Sequence, residues 1–220
     1  MTDHQAEQMD GTYIQFGCGT CAPPGWRNFD AGPAFWLQKR LPFSKPMLLR
    51  RGYPDYPIQN IEYGDVITGL PVQPQSASGV YCSHVLEHLA LSEFRRAVRN
   101  VFAYLKSGGR FRLVVPDIEF LVRQYSANDS PGAAMAFMQN AVLGEESSSR
   151  GIGSLPQRLF GRSKHLWMWD YKSMAKELAE AGFDGIRRAR YNDSPDSRFK
   201  DVENPGRWEN CLGVECTKPC

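Results

Sequence analysis

The stretch from Thr12 to Asp30 constrains the fold more tightly than any other part of the chain. Thr12-Tyr13-Ile14-Gln15-Phe16 is β-prone, the turn Gly17-Cys18-Gly19 follows at once, and Asp30 closes a second β-prone run, Trp26-Arg27-Asn28-Phe29. A strand, a glycine turn that lets a ligand approach the backbone, and a carboxylate ending the neighbouring strand together describe a pocket for an adenosine ribose. Between them, Ala22-Pro23-Pro24-Gly25 breaks any helix. The turn therefore suits a nucleoside better than a pyrophosphate, which prefers a helix N-terminus.

Strand-like and helix-like segments alternate through the rest of the sequence, the pattern of a parallel sheet with helices on its faces. Pro33–Leu41 reads as a short helix, Ile58–Tyr63 as the third strand, and Gly79–Ser83 as the fourth, running into His84-Val85-Leu86-Glu87-His88-Leu89. Leu91–Lys106 carries apolar residues at helical spacing (Phe94, Val98, Val101, Phe102, Leu105) and is stopped by Ser107-Gly108-Gly109. Arg110–Val115 is the fifth strand, ended by Pro116-Asp117. The helical runs Ile118–Tyr125 and Pro131–Leu143 and the Gly/Ser-rich stretch Gly144–Ser154 depart from simple alternation. Residues 118–170 therefore read as an inserted helical cap of the kind that selects substrates. Tyr171–Ala181 is the last helix, with Gly182 as its stop, and Phe183–Tyr191 and Leu212–Thr217 close the sheet.

With 220 residues, 42% of them hydrophobic, the chain can bury one core, so residues 1–220 are expected to form a single domain with a flexible start over residues 1–11. A net charge of +2, from 26 Lys+Arg against 24 Asp+Glu, argues against a nucleic-acid partner or an anionic membrane. The clusters Arg95-Arg96 with Arg99 and Arg187-Arg188 with Arg190 read as solvated charge on a helix and an edge strand. No stretch is apolar enough to span a bilayer, and Met1–Asp10 is too polar for a signal sequence, which points to a cytoplasmic protein. The six cysteines (Cys18, Cys21, Cys82, Cys211, Cys216, Cys220) lack the context of a zinc or redox site and are expected to be reduced structural thiols.

Four blocks occur in fixed order: Phe16-Gly17-Cys18-Gly19, Gly25-Trp26-Arg27-Asn28-Phe29-Asp30, His84-Val85-Leu86-Glu87-His88-Leu89 and Leu105-Lys106-Ser107-Gly108-Gly109-Arg110, with weaker support from Glu180-Ala181-Gly182-Phe183. Together they resemble the class I S-adenosylmethionine-dependent methyltransferases, in particular the small predicted methyltransferases that join these motifs. Ser107, where that family commonly has proline, and the altered final strand Asn210–Cys216 depart from the pattern. The resemblance implies an α/β fold with a Rossmann-like, seven-stranded sheet, mostly parallel with an antiparallel last strand, and with the first helix shortened or missing. It also implies S-adenosylmethionine as cofactor, held by Phe16, Gly17, Cys18 and Gly19. Asp30 would take both ribose hydroxyls, Asp65 and the Val66 backbone would meet the adenine, and Ser83 and His84 would flank the sulfonium. Loss of the first helix leaves one side of the cofactor thinly covered, a gap for Pro33–Arg51 or a partner chain to close. A homodimer is left open.

Transfer to a hydroxyl needs a group to take its proton. His88 is the preferred general base, because histidine titrates near neutrality, and His84 and Asp117 are the other catalytic candidates near the strand ends. Glu87, His165, Asp170 and Tyr171 join them as neighbours, and Trp167, Trp169 and Tyr171 form either an aromatic wall for a ring or sugar face or part of the core. His84-Val85-Leu86-Glu87-His88 also spells a His-x-x-Glu-His zinc-hydrolase motif, but that motif belongs within a helix and here a strand leads into it. The expected function is methyl transfer to a small molecule or a sugar, with no metal assigned. Two alternatives stand beside it. One is an S-adenosylmethionine-binding protein with a non-methyl-transfer or non-catalytic role. The other is a metal-dependent O-methyltransferase using His84, Glu87 and His88, with His165 as an additional candidate ligand, similar to the small-RNA 2′-O-methyltransferases.

Overall fold

In the computed structural model, which describes residues 11–144 and 164–220, the first two strands pair directly in parallel without a helix between them. Strands β1 (Thr12–Phe16), β2 (Arg27–Asp30), β3 (Ile61–Tyr63), β4 (Ala77–Ser83), β5 (Leu105–Pro116), β6 (Asp184–Ala189) and β7 (Cys211–Thr217) form one seven-stranded sheet in the order β3-β2-β1-β4-β5-β7-β6. The first five run parallel, whereas β7 is antiparallel to both β5 and β6. This is the Rossmann-like architecture that the sequence implied, with its antiparallel last strand and missing first helix.

Period-two alternation sorts the strand side chains onto two faces. Ile14, Phe16, Val80, Cys82, Phe111, Leu113, Val115, Leu212 and Val214 point to the larger core, which α3 (Leu91–Tyr104) and α6 (Tyr171–Glu180) cover with Phe94, Val98, Val101, Met174 and Leu178. Glu93 caps the start of α3 by accepting from Ala90 N at 3.0 Å. On the opposite face, Tyr81 and Val114 pack with Trp26, Phe199, Val202 and Trp208. The segment 190–210 between β6 and β7 covers the gap left by the first helix, while α1 (Pro33–Arg40), followed by α2 (Lys45–Arg50), packs Phe35 against Cys18 of the glycine turn and Ile61. The segment 190–210 is thus a cover that the sequence expectation, Pro33–Arg51 or a partner chain, did not include.

The cover is held by charge. Arg112, fully buried in the middle of β5, ion-pairs with Glu203, with Asp193 at 3.0 Å and with Glu215 of β7 at 3.1 Å. It also donates to the Arg190 carbonyl at 2.6 Å and lies over the Trp208 ring at 4.6 Å. Glycine at 213 lets that indole lie on the sheet, since a Cβ there would come within 2.2 Å of it. Arg187 is likewise paired, with Asp193 at 2.8 Å and Glu215 at 2.8 Å, so this basic cluster is an ion-pair network rather than free solvated charge.

Several boundaries differ from the sequence expectations. Helix α3 ends at Tyr104 and β5 begins at Leu105, because Leu105 pairs with Ala77 and the chain through Ser107-Gly108-Gly109 bonds to Lys218 (Gly108 N to Lys218 O and Lys218 N to Gly109 O, both 2.9 Å). Strand β3 keeps only Ile61–Tyr63, since Asn60 N closes a turn on Pro57 O at 2.9 Å. In the inserted region, α4 (Ile118–Ser126) is capped by Asp117 and α5 spans Ala133–Asn140; most of the Gly/Ser-rich stretch lies outside the described residues. No helix among the described residues is long and apolar enough to cross a membrane, and all six cysteines are free thiols.

Removing the buried guanidinium while leaving its carboxylates in place is strongly unfavourable. Arg112→Ala is expected to lower unfolding stability by about 3–5 kcal/mol in a urea titration; a loss below about 1 kcal/mol would show that the 190–210 cover is held by its aromatic contacts alone.

Candidate functional site

The carboxyl ends of β1, β2, β4 and β5 meet where the strand order reverses between β1 and β4, the place where open α/β sheets bind ligands. Gly17 and Gly19 turn the chain out of β1 with φ of 62° and 57°, a region closed to most side chains. A Cβ on Gly17 would lie 2.1 Å from Val85 Cγ2, so glycine is what allows this turn to seat against the His84–His88 turn. A Cβ on Gly19 would meet nothing nearer than the Arg207 guanidinium at 3.8 Å among the described residues, which leaves that backbone approachable.

Asp30, 8% exposed, ends β2 with Gly19 N donating to Oδ2 at 2.9 Å and Gly32 N donating to Oδ1 at 2.6 Å. A carboxylate has about four acceptor sites, so each oxygen keeps capacity for a ribose hydroxyl. Phe16 and Cys18 reach the turn through their backbones while their side chains are buried. Burial, reinforced by the Asp30 carboxylate, pushes the Cys18 thiol well up, so it stays protonated. Asp65 follows β3 and accepts from Ile67 N at 2.8 Å, and the Val66 carbonyl is held by Asn100 Nδ2 at 2.8 Å. Ser83, buried at the end of β4, has a hydroxyl beside the Tyr81 phenol that keeps hydrogen-bonding capacity for a ligand. The glycine turn, the strand-end acid and this hydroxyl fit an adenosyl cofactor.

Past Ser83 the chain reverses sharply. His84 adopts a left-handed backbone (φ 55°), its N–H donates to Val114 O at 2.9 Å, and Leu86–His88 forms one 3-10 turn. The His84 ring donates from Nε2 to the Arg207 carbonyl at 2.9 Å, and Nδ1 lies 3.3 Å from Glu87 Oε1. Burial works against a charged ring, but the Cys211 sulfur, the Glu87 carboxylate and the Arg207 carbonyl outweigh it and push the His84 pKa up to about 10. His84 is thus a cation that balances the buried Glu87. His88 donates from Nδ1 to the Lys164 carbonyl at 3.0 Å; the carbonyl cannot donate, so Nε2, 3.9 Å from Glu87 Oε1, carries the lone pair in the neutral ring. His165 stands beside it, ring centroids 5.0 Å apart, with burial holding its pKa below the usual value.

A cavity of about 510 Å³ opens beside these groups, lined among others by His84, Asp117, Phe120, Gln124, Asn140 and His165. Asp117 caps α4 by accepting from Glu119 N at 2.9 Å and lies 3.6 Å from the Arg188 guanidinium. The structure therefore gathers His84, Asp117 and His165 at the wall, with His88 behind His165. The three aromatic residues divide: Trp169 is buried against Phe94 with ring centroids 4.2 Å apart, the Tyr171 hydroxyl donates to Ile186 O at 3.1 Å, and Trp167 stays 41% exposed.

Arg207 is a site residue that sequence reasoning missed. It reaches the crevice from the 190–210 cover, donates from Nη1 to the Ser83 carbonyl at 3.1 Å and lies over Gly19. Its local signal, an Asn204-Pro205-Gly206 turn before a lone arginine, says nothing about the strand end it will meet.

A family model described as a methyltransferase domain matches residues 7–187. Among solved structures, a SAM-dependent methyltransferase and possible histamine N-methyltransferase from Thermotoga maritima superposes over 94% of this chain and 82% of its own, with 15% identity and a TM-score of 0.51. A candidate methyltransferase in complex with the Haloferax volcanii Trm112 methyltransferase activator covers 96% of this chain and 84% of its own, with 16% identity and a TM-score of 0.49. A search of curated proteins found no match. The first of these likenesses supports the fold, and the family match spans most of the sequence. The chain belongs to the methyltransferase-domain family and is a class I S-adenosylmethionine-dependent methyltransferase.

Proposed function

We infer that the acceptor is a small polar molecule, a sugar or a compound of similar size. The cavity beside Ser83 and His84 carries this reading: about 510 Å³ is the size of a site for one small ligand. Its wall mixes hydrogen-bonding Gln124, Asn140, Asp117 and His165 with apolar Phe120, Leu121 and Val142, the combination that holds a ring by its faces and its hydroxyls by their edges. The near-neutral net charge of +2 supplies no global field toward a polyanion.

When bound, S-adenosylmethionine supplies an electrophilic methyl group on its sulfonium. Asp30 binds the ribose diol through its two remaining acceptor sites, the Phe16–Gly19 backbone seats the ribose and amino-acid tail, and Asp65 with the Val66 backbone receives the adenine. Ser83 and His84 border the methyl-bearing end. Arg207, held over Gly19 by its bond to the Ser83 carbonyl, pairs with the carboxylate of the amino-acid tail. Gln124 and Asn140 orient the acceptor, and a hydroxyl acceptor passes its proton to the Asp117 carboxylate on the same wall.

Release of S-adenosylhomocysteine across a panel of sugars, nucleosides and small phenols tests the acceptor class; turnover confined to a protein or RNA substrate would overturn it. Asp30→Ala is expected to abolish cofactor binding in calorimetry, and near-normal affinity would contradict the ribose assignment. Arg207→Ala should weaken S-adenosylhomocysteine by roughly tenfold or more, the scale of one charge-assisted contact, while leaving 5′-methylthioadenosine, which has no amino-acid tail, unchanged. Equal losses for both ligands would remove Arg207 from the tail site.

A further inference from the structure

Both carboxylate oxygens of Glu87, which is 1% exposed, and Nδ1 of His165 have no hydrogen-bond partner of good geometry among the described residues. A buried carboxylate left in that state is costly. His84 answers the charge from one side, its Nδ1 lying 3.3 Å from Oε1. One ligand atom each from Glu87, His88 and His165 lies within 4.8 Å of the others.

The geometry points to a divalent metal site, and we propose that Glu87, His88 and His165 bind one first-row transition ion of the zinc type, whose remaining coordination positions face the acceptor cavity. Two imidazoles and one carboxylate suit zinc and its neighbours, whereas magnesium and calcium prefer oxygen alone. Bonds of about 2.0–2.2 Å bring ligand atoms to roughly 3.3 Å from one another, so a small rotamer adjustment closes the site.

The supporting contacts are those of a built site. The Nδ1–H of His88 is fixed on the Lys164 carbonyl at 3.0 Å, which turns Nε2 toward Glu87, the orienting arrangement that accompanies most histidine ligands. The Glu87 carbonyl accepts from Leu166 N at 2.7 Å and Trp167 N at 3.1 Å, so the segment bearing His165 is fastened directly to the Glu87 turn. His84 is excluded as a ligand because its two ring nitrogens face the Arg207 carbonyl and the Glu87 carboxylate. His165 is the ligand that also lines the cavity, which places the ion where it can hold and polarise an acceptor oxygen. This role rests on the methyl-transfer reading; the site itself does not.

The test is equilibrium dialysis of the full chain, freed of metal by chelation, against buffered Zn²⁺, with Co²⁺ as a spectroscopic probe. One ion per chain is expected, with the visible Co²⁺ absorption of a low-coordinate nitrogen–oxygen site. Glu87→Gln and His165→Ala should each lower affinity by about a hundredfold or more, since even changes to supporting residues cost 10–100-fold. Circular dichroism and S-adenosylhomocysteine calorimetry verify that each variant is folded. Absence of a stoichiometric ion, a thiolate-type Co²⁺ spectrum, or unchanged affinity in folded His165→Ala would overturn the site. Methyl transfer by protein that binds no metal would sink the site and leave the acceptor reading intact. Stoichiometric binding lost in both variants, without small-molecule turnover, would uphold the site and sink that reading.

Discussion

The buried guanidinium of Arg112 is the constraint from which the unusual part of this structure follows. Its place in β5 is fixed by pairing with Tyr81 and Glu215, on the face of the sheet that a helix between β1 and β2 would ordinarily cover. A cation there needs anions, and Asp193 and Glu203 supply them from the segment between β6 and β7, with Glu215 from the adjoining strand. Burying such a group costs free energy that only close pairing returns, so the network specifies where the cover must lie more than it adds stability.

The same anchoring delivers chemistry. Glu203 and Trp208, both held on Arg112, bracket Arg207 in the chain. Its guanidinium reaches Ser83 and the glycine turn while its carbonyl receives the His84 ring. A loop that replaces a helix as a lid over the sheet thereby contributes to the cofactor crevice as well. Gly17 ties the other side, because its lack of a side chain admits Val85 and locks the first turn to the His84–His88 turn.

Local chemistry made the parallel strands and the first turn of the candidate site legible in the sequence. The glycine turn, the prolines that forbid a helix and the acid at the end of β2 act within a few residues of one another, and their consequences appear in place. What escaped was non-local. The 190–210 cover carries no periodic pattern, since its ordering comes from Arg112, which reads in sequence as one more alternating strand residue. Trp169 read equally as ligand wall or core, and its bridge to Asp117 and its packing on Phe94 make it core. The end of α3 shifted for a related reason: pairing of Leu105 with Ala77 outweighed the helix-stopping glycines.

The His84–His88 run shows how one short motif can mean different things. In a helix, positions i, i+3 and i+4 share one face and would send all three side chains to one partner. Here the left-handed turn at His84 aims its ring back toward the 190–210 cover, while His88 faces the chain at Lys164. Glu87 is left between them, buried and negative, with its backbone carbonyl fastening the segment that brings in His165. His84 faces that carboxylate from one side. The other side of the carboxylate opens on the two remaining imidazoles and, through His165, on the cavity where the acceptor is expected to bind. The Glu87 turn thus joins the strand end, the chain at 164–167 and the cavity lined by His165.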